Sequence, residues 1–203
     1  MSRAEDDTKV EAPVSEESWA SRSGVQLTLR AVRTEDQAGL RAFIDGLSRE
    51  SRYFRFLTGG NVADEVIRGF VSHQLGRDVA LVVTSRDADT GMETIVANAE
   101  YVVNDEDIAE LAVVVADGWQ GQGLGRRLIN RLQQLARSRR LRGMRGDVLS
   151  ENHRMLAIMR GCGFTARRNP EDSYLHEVSL MLAEERRAPA PQHWMPGDWA
   201  TAG

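Results

Sequence analysis

Hydrophobic and polar positions alternate along this chain with two different periods, which predict separate strands and helices. VQLTLRAV (25–32) and the β-branched run DVALVVTS (78–85) are typical of strands, and ETIVANAEYVV (93–103) predicts another strand after a turn. IAELAVVVA (108–116) is apolar at nearly every position. Such a run predicts a central strand that is covered on both faces.

Helical periodicity, with an apolar residue every three or four positions, separates these strands. It occurs, in chain order, over about 36–48, over 63–74, from the glycines near 123 to about 138, and over 152–162. Shorter strands complete the pattern at MRGDVLS (144–150), FTARR and YLHEVSLML. The order of elements predicts a mixed α/β sheet rather than a regular βαβ repeat.

The two ends of the chain differ in composition from its middle. Residues 1–24 are polar and acidic, which predicts a flexible N-terminal arm. Residues 185–203 contain three of the five prolines and predict a flexible C-terminal tail. Residues 25–184 are therefore expected to form a single folded domain, in keeping with a chain of 203 residues.

Composition narrows the class of protein. A net charge of −4 and a pI of about 5.6 argue against a nucleic-acid binder. Cys162 is the single cysteine, which excludes an intrachain disulfide and fits a reducing compartment. No apolar run approaches the roughly 20 residues of a membrane span, and the N-terminus lacks an apolar signal core. We therefore expect a cytoplasmic protein without a membrane partner, and the four scattered histidines predict no metal site.

Three glycines fall within five positions of ADGWQGQGLGRRL (116–128), directly before a predicted helix. Glycine is a poor helix former, and such crowding usually allows a phosphate to come close to backbone N–H groups. The dinucleotide fingerprint GxGxxG fails here, because its third glycine would fall on Arg126 or Leu128. The Gly-Lys-Ser/Thr ending of a Walker loop is absent as well. The plainer alternative is a tight strand-to-helix turn, which accounts for one glycine rather than three.

Two motifs in this chain resemble those of the GNAT N-acyltransferase superfamily and occur in the same order. The run from Gln120 to Gly125 reads QGQGLG and matches the signature Gln/Arg-x-x-Gly-x-Gly/Ala. Asn152 begins a predicted helix that closes in a Gly-Phe pair, like the second motif of the family. The resemblance implies an α/β (α+β) GNAT fold. In that fold, helices flank a central mixed, mostly antiparallel sheet, and a splayed strand pair binds acyl-CoA.

The resemblance also implies acetyl-CoA as the cofactor. Its pyrophosphate would meet backbone N–H groups at the helix start, where the helix dipole favours an anion, and its pantetheine would pair with the preceding strand. The residues so implied are Val113, Val114, Val115, Gln120, Gly121, Gln122, Gly123, Leu124, Gly125, Arg126 and Asn152. Two of them have plainer alternatives, since Arg126 can be a solvated arginine and Asn152 a helix N-cap.

Acyl transfer to an amine needs a neutral nucleophile, whereas a lysine with a free pKa of about 10.4 is almost wholly protonated at neutral pH. Glu110 is the candidate base, because it enters an apolar strand that is expected to reduce its hydration and raise its pKa. The pair Ala109-Glu110 also resembles the context of the base in several GNAT enzymes. The alternative is a solvated carboxylate beside the acidic turn 105–107. Glu100 is the reserve base, and a satisfied or solvent-facing side chain is the plainer interpretation of it.

Many GNAT enzymes protonate the departing thiolate with a tyrosine, and this chain has Met159 at that position. Water or Ser150 would then supply the proton. The missing tyrosine and the segment SRYFRFL (51–57) both resemble bacterial Pat-type protein lysine acetyltransferases, in which the segment would shape the acceptor entrance. Packing of its aromatic residues in the core is the alternative. No histidine is placed to activate Cys162, so direct attack in a ternary complex is expected.

The sequence therefore predicts an acetyl-CoA-dependent N-acetyltransferase that acts on a primary amine. A protein lysine, for example on an acyl-CoA synthetase, is the favoured acceptor. Two alternatives stay open: a small-molecule amine acetyltransferase, and a non-catalytic module that senses acyl-CoA or regulates another protein. The oligomeric state is open.

Overall fold

The computed structural model describes residues 14–72 and 77–182. The predicted tail (185–203) and residues 1–13 of the predicted arm lie outside the described residues. The elements follow in the order β1 (Glu17–Ala20), β2 (Gln26–Ala31), α1 (Gln37–Asp45), α2 (Arg49–Phe56), α3 (Asp64–Ser72), β3 (Val79–Arg86), β4 (Glu93–Val103), β5 (Ile108–Val115), α4 (Leu124–Ser138), β6 (Gly143–Leu149), α5 (His153–Gly161), β7 (Thr165–Arg168) and β8 (Leu175–Met181).

These strands form one sheet in the order β1-β2-β3-β4-β5-β6-β8-β7. Neighbouring strands are antiparallel except β5 and β6, which run parallel. Because parallel neighbours need a crossover connection, α4 lies between these two strands in the chain. The predicted mixed, mostly antiparallel sheet with flanking helices is confirmed.

Two apolar cores cover the sheet. The larger contains α4, whose predicted helical periodicity is confirmed by the burial of Leu124, Leu128, Leu132 and Leu135. The smaller contains α1 and α3, packed against β3, β4 and β5. Strand β5 gives Val113 to the larger core and Val114 to the smaller one, so it is covered on both faces as its apolar run predicts.

Strand β1 corrects the prediction that residues 1–24 form a flexible arm. Glu17–Ala20 pair with β2, and Trp19 packs against the larger core. Cζ of Arg127 lies 3.8 Å from the centre of the Trp19 ring, and its Nη2 lies 3.3 Å from Oε2 of Glu17. The segment is mostly polar and has no apolar pattern of its own. It is held in place by its contacts with α4.

Helix α2 occupies the segment that the sequence analysis left between the first two predicted helices. Ser48 caps it, since its Oγ accepts a hydrogen bond from the Ser51 N–H at 3.1 Å. The helix ends at Phe56, and its C-cap, Leu57, has a left-handed backbone with φ of 56°. Its polar composition gives little helical periodicity, so α2 depends on its cap and on the tertiary contacts described below.

Candidate active site

Strands β5 and β6 pair for three residues and then separate, forming a fork. The parallel ladder ends at Glu110 opposite Arg145, after which β5 pairs with β4 only and β6 with β8 only. Gly146 stands where the strands part. A Cβ there would lie 2.9 Å from the Leu111 carbonyl oxygen, so a residue with a side chain would force the two backbones apart. One edge of β5 is therefore open from 111 to 115, and the implied splayed strand pair is confirmed.

A cleft of about 690 Å³ opens at this fork, between β5, β6, α2 and the first turns of α4 and α5. Ten of the eleven residues predicted to bind the cofactor line it: Val113, Val114, Val115, Gln120, Gly121, Gly123, Leu124, Gly125, Arg126 and Asn152. The exception is Gln122. Its Nε2 donates to the Gly118 carbonyl at 3.3 Å, and its side chain lines a second, smaller hollow.

The glycines of the loop are needed for two reasons: backbone conformation at some positions and space beside α5 at another. Gly121 and Gly123 have φ angles of 79° and 89°, which residues with a side chain rarely adopt. Gly125 is helical, and a Cβ there would lie 3.8 Å from Cδ1 of Ile158 on α5. Gly123 is also the N-cap of α4, and no side chain caps this end of the helix. The first N–H groups of α4 are therefore left for water or a ligand.

Gln120, the first residue of the signature, joins three parts of the cleft. Its Nε2 donates to Ser51 Oγ on α2 and to the Val115 carbonyl at the end of β5, both at 3.1 Å. Its Oε1 accepts a hydrogen bond from Nη1 of Arg154 on α5 at 2.8 Å. The side chain therefore holds the glycine loop in place and lines the cleft at the same time.

Asp117 fixes the start of α2 to the same loop. Its carboxylate accepts hydrogen bonds at 2.8 Å from the Ser48 N–H, the Ser48 hydroxyl and the Ser51 hydroxyl. Partial burial acts to raise the pKa of Asp117, but the hydrogen bonds from Ser48 and Ser51 outweigh it and hold that pKa below its ordinary value. Since α2 supplies Phe54 and Arg55 to the cleft, this contact positions one of its walls.

The two arginines in the first turn of α4 have separate partners. Arg126 lines the cleft, and its Nη1 donates to the Gly161 carbonyl at the C-terminal end of α5, 3.1 Å away. Arg127 is stacked on Trp19 of β1. The C-terminal end of α5 and β1 thus compensate for positive charge at the unfavourable end of α4.

Asn152 is the N-cap of α5, so the plainer interpretation of this residue is confirmed. Its side-chain oxygen accepts a hydrogen bond from the Met155 N–H at 3.0 Å. The residue is half-buried and lines the cleft as well. A contact with the cofactor stays a prediction.

Glu110 lies at the fork, but its surroundings differ from those predicted. Its side chain is 50% exposed and ion-paired with Arg145, the residue opposite it on β6. It is absent from the lining of the cleft. The expected loss of hydration is therefore wrong, because the apolar residues that follow Glu110 lie deeper in the sheet and leave its own end of the strand open to water.

Glu100, the reserve base, is buried and ion-paired with Arg55 of α2. This confirms the interpretation of Glu100 as a satisfied carboxylate. The guanidinium of Arg55 also lies over the rings of Phe56 and Phe70, at 4.8 and 5.6 Å. Both interpretations of the segment SRYFRFL hold in part, since Phe54 lines the cleft and Phe56 packs against the smaller core.

A carboxylate that the sequence analysis missed, Asp147, lines the cleft from β6. It pairs across the sheet with Glu177 on β8, so two like charges share one face. Surrounding protein atoms displace part of its hydration and raise its pKa, and the Glu177 carboxylate raises the pKa further, against the opposing effect of Arg145. No motif marks this position, because strands distant in sequence bring the charges together.

Met159, Ser150 and Cys162 differ in their position relative to the cleft. Met159, at the position of the tyrosine that other GNAT enzymes use, is buried and lines the cleft. Ser150 does not line the cleft, and its hydroxyl lies 3.0 Å from Nδ1 of His176. Cys162 also lies outside the cleft lining, and burial raises the pKa of its thiol. The position of Ser150 therefore disfavours it as the donor to the thiolate, and protonation by water stays a prediction.

Comparison with known proteins identifies the family. The sequence profile of the acetyltransferase (GNAT) family matches residues 47–164, more than half of the chain. The chain therefore belongs to the GNAT acetyltransferase family. An acetyltransferase of Pseudomonas aeruginosa is 28% identical to it over 162 residues, which make up 77% of this chain and 86% of that protein.

Solved structures share the fold. The GNAT domain of S. lividans PAT has a TM-score of 0.71 and 23% identity, over 82% of this chain and 97% of that one. Spermidine N-acetyltransferase from Vibrio cholerae, in complex with CoA and spermine, has a TM-score of 0.61 and 22% identity, over 76% and 95%. The yncA protein of Salmonella typhimurium, with its cofactor acetyl-CoA, has a TM-score of 0.60 and 21% identity, over 81% and 98%.

No helix within residues 14–72 and 77–182 has the length and apolar character needed to cross a bilayer. Within the same residues, no group of three or more His, Cys, Asp and Glu side chains converges in a way that fits a metal ion.

Proposed function

We propose that the protein transfers the acetyl group of acetyl-CoA to a primary amine, with a protein lysine as the favoured acceptor. The observation that carries this proposal is the junction of two features in one cleft. The open edge of β5 leads from the fork to the uncapped N-terminus of α4. A strand edge offers backbone partners for amide groups, and a helix N-terminus offers N–H groups for phosphate.

Coenzyme A contains both kinds of group in the order that the cleft requires. The N–H groups between Gln122 and Arg126 would hold its pyrophosphate, and Gly125 leaves the gap beside Ile158 free of a side chain. The pantetheine amides would pair with the backbone of β5 between Val113 and Val115. The two relatives solved with CoA or acetyl-CoA support this choice of cofactor.

The transfer proceeds by direct attack in a ternary complex. The amine nitrogen bonds to the thioester carbonyl carbon, the C–S bond breaks, and coenzyme A leaves as a thiolate that takes a proton from water. The surplus proton of the amine passes to Glu110 at the fork, directly or through a water molecule. A backbone N–H on the open edge of β5 would stabilise the oxyanion, most favourably near Val113.

A protein lysine is favoured because the motifs resemble Pat-type enzymes and because α2 places Phe54 and Arg55 in the cleft. The GNAT domain of S. lividans PAT also has a higher TM-score, 0.71, than the spermidine enzyme, 0.61. A small amine is the second candidate. The similarity to the spermidine enzyme, which extends over 95% of that chain, supports it.

An acceptor screen separates these candidates. Release of coenzyme A from acetyl-CoA is measured with protein acceptors, including an acyl-CoA synthetase, and with polyamines and other small amines. Mass spectrometry of the protein acceptor then locates the acetylated lysine. Release with small amines alone would move the function to the second candidate. Binding of acetyl-CoA without release in the presence of any acceptor would make the protein an acyl-CoA-sensing module.

A further inference from the structure

Asp147 is placed in the cleft by the register of β6. Glu110 stands opposite Arg145, so the side chains of these two residues share one face of the sheet. Asp147 follows Arg145 by two positions and therefore lies on that same face, one step beyond the fork. It lines the part of the cleft where β5 and β6 have already separated.

The side chain of Asp147 is exposed on the wall of the cleft, and the charged protein groups around it do not balance its charge. The charged groups around it are three carboxylates and one guanidinium: Glu177 on β8, Glu110 on β5, Asp172 in the β7–β8 loop and Arg145 on β6. The guanidinium is already engaged, because Arg145 forms its ion pair with Glu110. Among residues 14–72 and 77–182, no other side chain forms an ion pair or a hydrogen bond with the carboxylate of Asp147.

The cationic side chain on the facing helix is engaged elsewhere too. Arg55 of α2 lines the same cleft, but its guanidinium is ion-paired with Glu100. Phe54, one residue earlier, gives the cleft an aromatic wall. An aromatic ring and an unpaired carboxylate are two groups that attract an organic cation.

We propose that Asp147 binds the acceptor amine in its protonated form and thereby selects alkyl amines, such as a lysine side chain, over amines that are neutral at neutral pH. This inference rests on the proposed acetyl transfer. The ammonium group would be the ion-pair partner that the side chain of Asp147 lacks among the described residues. Asp147 holds the cation before reaction. One proton then leaves the nitrogen for Glu110, and the second, released as the amide forms, passes through water to the departing thiolate, so the two carboxylates act in different steps.

The test compares Asp147→Asn with the parent enzyme, and Glu171→Gln serves as the matched control. Glu171 is exposed in the β7–β8 loop and lies outside the cleft lining, so its change removes one negative charge without touching the site. For a lysine peptide or an alkyl amine, Asp147→Asn raises KM by about 10- to 100-fold, which corresponds to the loss of a hydrogen bond to a charged group. The kcat value stays within about threefold, and the control leaves both constants unchanged.

A second acceptor makes the test specific for charge. For an arylamine, which is neutral at neutral pH, KM is the same in the parent and in Asp147→Asn, and in the parent it is well above the KM for the alkyl amine. An unchanged alkyl-amine KM in Asp147→Asn would overturn the inference. A fall in kcat at constant KM would overturn it as well, because it would make Asp147 the proton acceptor. Absence of turnover by the parent with every amine would instead refute the proposed acetyl transfer.

The pH dependence gives an independent readout. Asp147 must be ionised to bind an ammonium group, and its raised pKa places the acidic limb of kcat/KM above the pH expected for an ordinary aspartate. Glu177→Gln removes a neighbouring like charge, so the limb moves to lower pH. The folded state favours the protonated form of Asp147, and ionisation therefore costs stability as the pH rises. Asp147→Asn is expected to raise the melting temperature at neutral pH, and a lowered melting temperature there would contradict the description of this site.

Discussion

The glycine loop needs glycine at different positions for different physical reasons. Gly121 and Gly123 are required by their positive φ angles, so substitution at either position strains the backbone whether or not a ligand is present. Gly125 has no such requirement, since it lies in regular helix and a Cβ would make only an ordinary contact with Ile158. Gly125 therefore allows binding to be tested without disturbing the fold.

Gly125→Ala is expected to keep the fold and to weaken coenzyme A binding. Alanine is a better helix former than glycine by up to about 1 kcal/mol, so the free energy of unfolding stays the same or rises. The added methyl group enters the gap between α4 and α5 and lowers affinity by about tenfold or more. Chemical denaturation and calorimetry with coenzyme A measure the two effects. Gly69→Ala is the matched control, because a Cβ there meets nothing within 4 Å and α3 is outside the cleft lining.

Glu110→Gln tests the proposed proton acceptor. Glutamine keeps the size of the side chain but cannot take up the proton, so kcat is expected to fall by about 10²–10⁴ while affinity for acetyl-CoA hardly changes. Part of the loss returns at high pH, where more of the acceptor amine is neutral. Steady-state kinetics across pH measure both effects.

Glu106→Gln is the control for this substitution, because Glu106 is an exposed acid in the turn before β5. Near-parent turnover of Glu110→Gln at neutral pH would show that Glu110 is not the base. Glu110 would then contribute to the fold through its ion pair with Arg145. An ordered water molecule would be the next proton acceptor to test.

The residues that line the cleft around the glycine loop were largely predictable, whereas the surroundings of its carboxylates were not. A glycine motif before an amphipathic helix is a local pattern, and ten of the eleven residues predicted from it, from the preceding strand and from the second motif line the cleft. The environment of Glu110 depends instead on which residue of β6 stands opposite it. Asp147 likewise acquires its charged neighbours from β8, a strand that is distant in sequence. The pattern of apolar residues indicates which segments are strands, but it does not indicate which residues of neighbouring strands stand opposite each other.

At the scale of elements, the start of α2 depends on a carboxylate outside the helix. Asp117 accepts hydrogen bonds from the N-cap Ser48 and from Ser51 in the first turn. The depressed pKa of Asp117 means that this contribution to stability is fully present above its ordinary pKa and is lost as the pH falls through the depressed one. The position of α2 therefore depends on the ionised form of Asp117.

Asp117→Ala is expected to loosen α2 more than the rest of the fold. Loss of these hydrogen bonds costs about 1–2 kcal/mol, because the site is partly open to solvent. Amide hydrogen exchange should rise in residues 49–56, and KM for the acceptor should rise more than the Kd for coenzyme A, since α2 carries Phe54 and Arg55. Asp105→Ala, at an exposed turn before β5, is the control. Equal effects on the acceptor and on coenzyme A would contradict this assignment of α2.

The elements that sequence periodicity missed are those that depend on such contacts. The strands β3, β4 and β5 and the helix α4 were predicted, because each has a strong apolar pattern of its own. Helix α2 and strand β1 are mostly polar, and they are held by Asp117 and by α4 respectively. Their existence follows from tertiary contacts that no single segment encodes.

For the whole molecule, one parallel pair in an otherwise antiparallel sheet creates the site. The crossover through α4 brings β6 beside β5, and Gly146 allows the two backbones to meet before they part. The same crossover places the N-terminus of α4 at the open end of the fork. Strand β1 is connected to this arrangement because Trp19 and Glu17 contact Arg127 in the first turn of α4.

Removal of residues 1–20 is expected to destabilise the protein, whereas removal of residues 1–13 is expected to leave its stability unchanged. The longer deletion removes β1, the burial of Trp19 and its stacking with Arg127, which together contribute about 2–4 kcal/mol. For a chain of this size that lowers the melting temperature by about 5–15 °C. Trp19→Ala in the full chain should reproduce about half of the effect. Equal melting temperatures for the two deletions would mean that β1 adds nothing to the fold, and that the flexible arm does extend to residue 24 as its composition predicts.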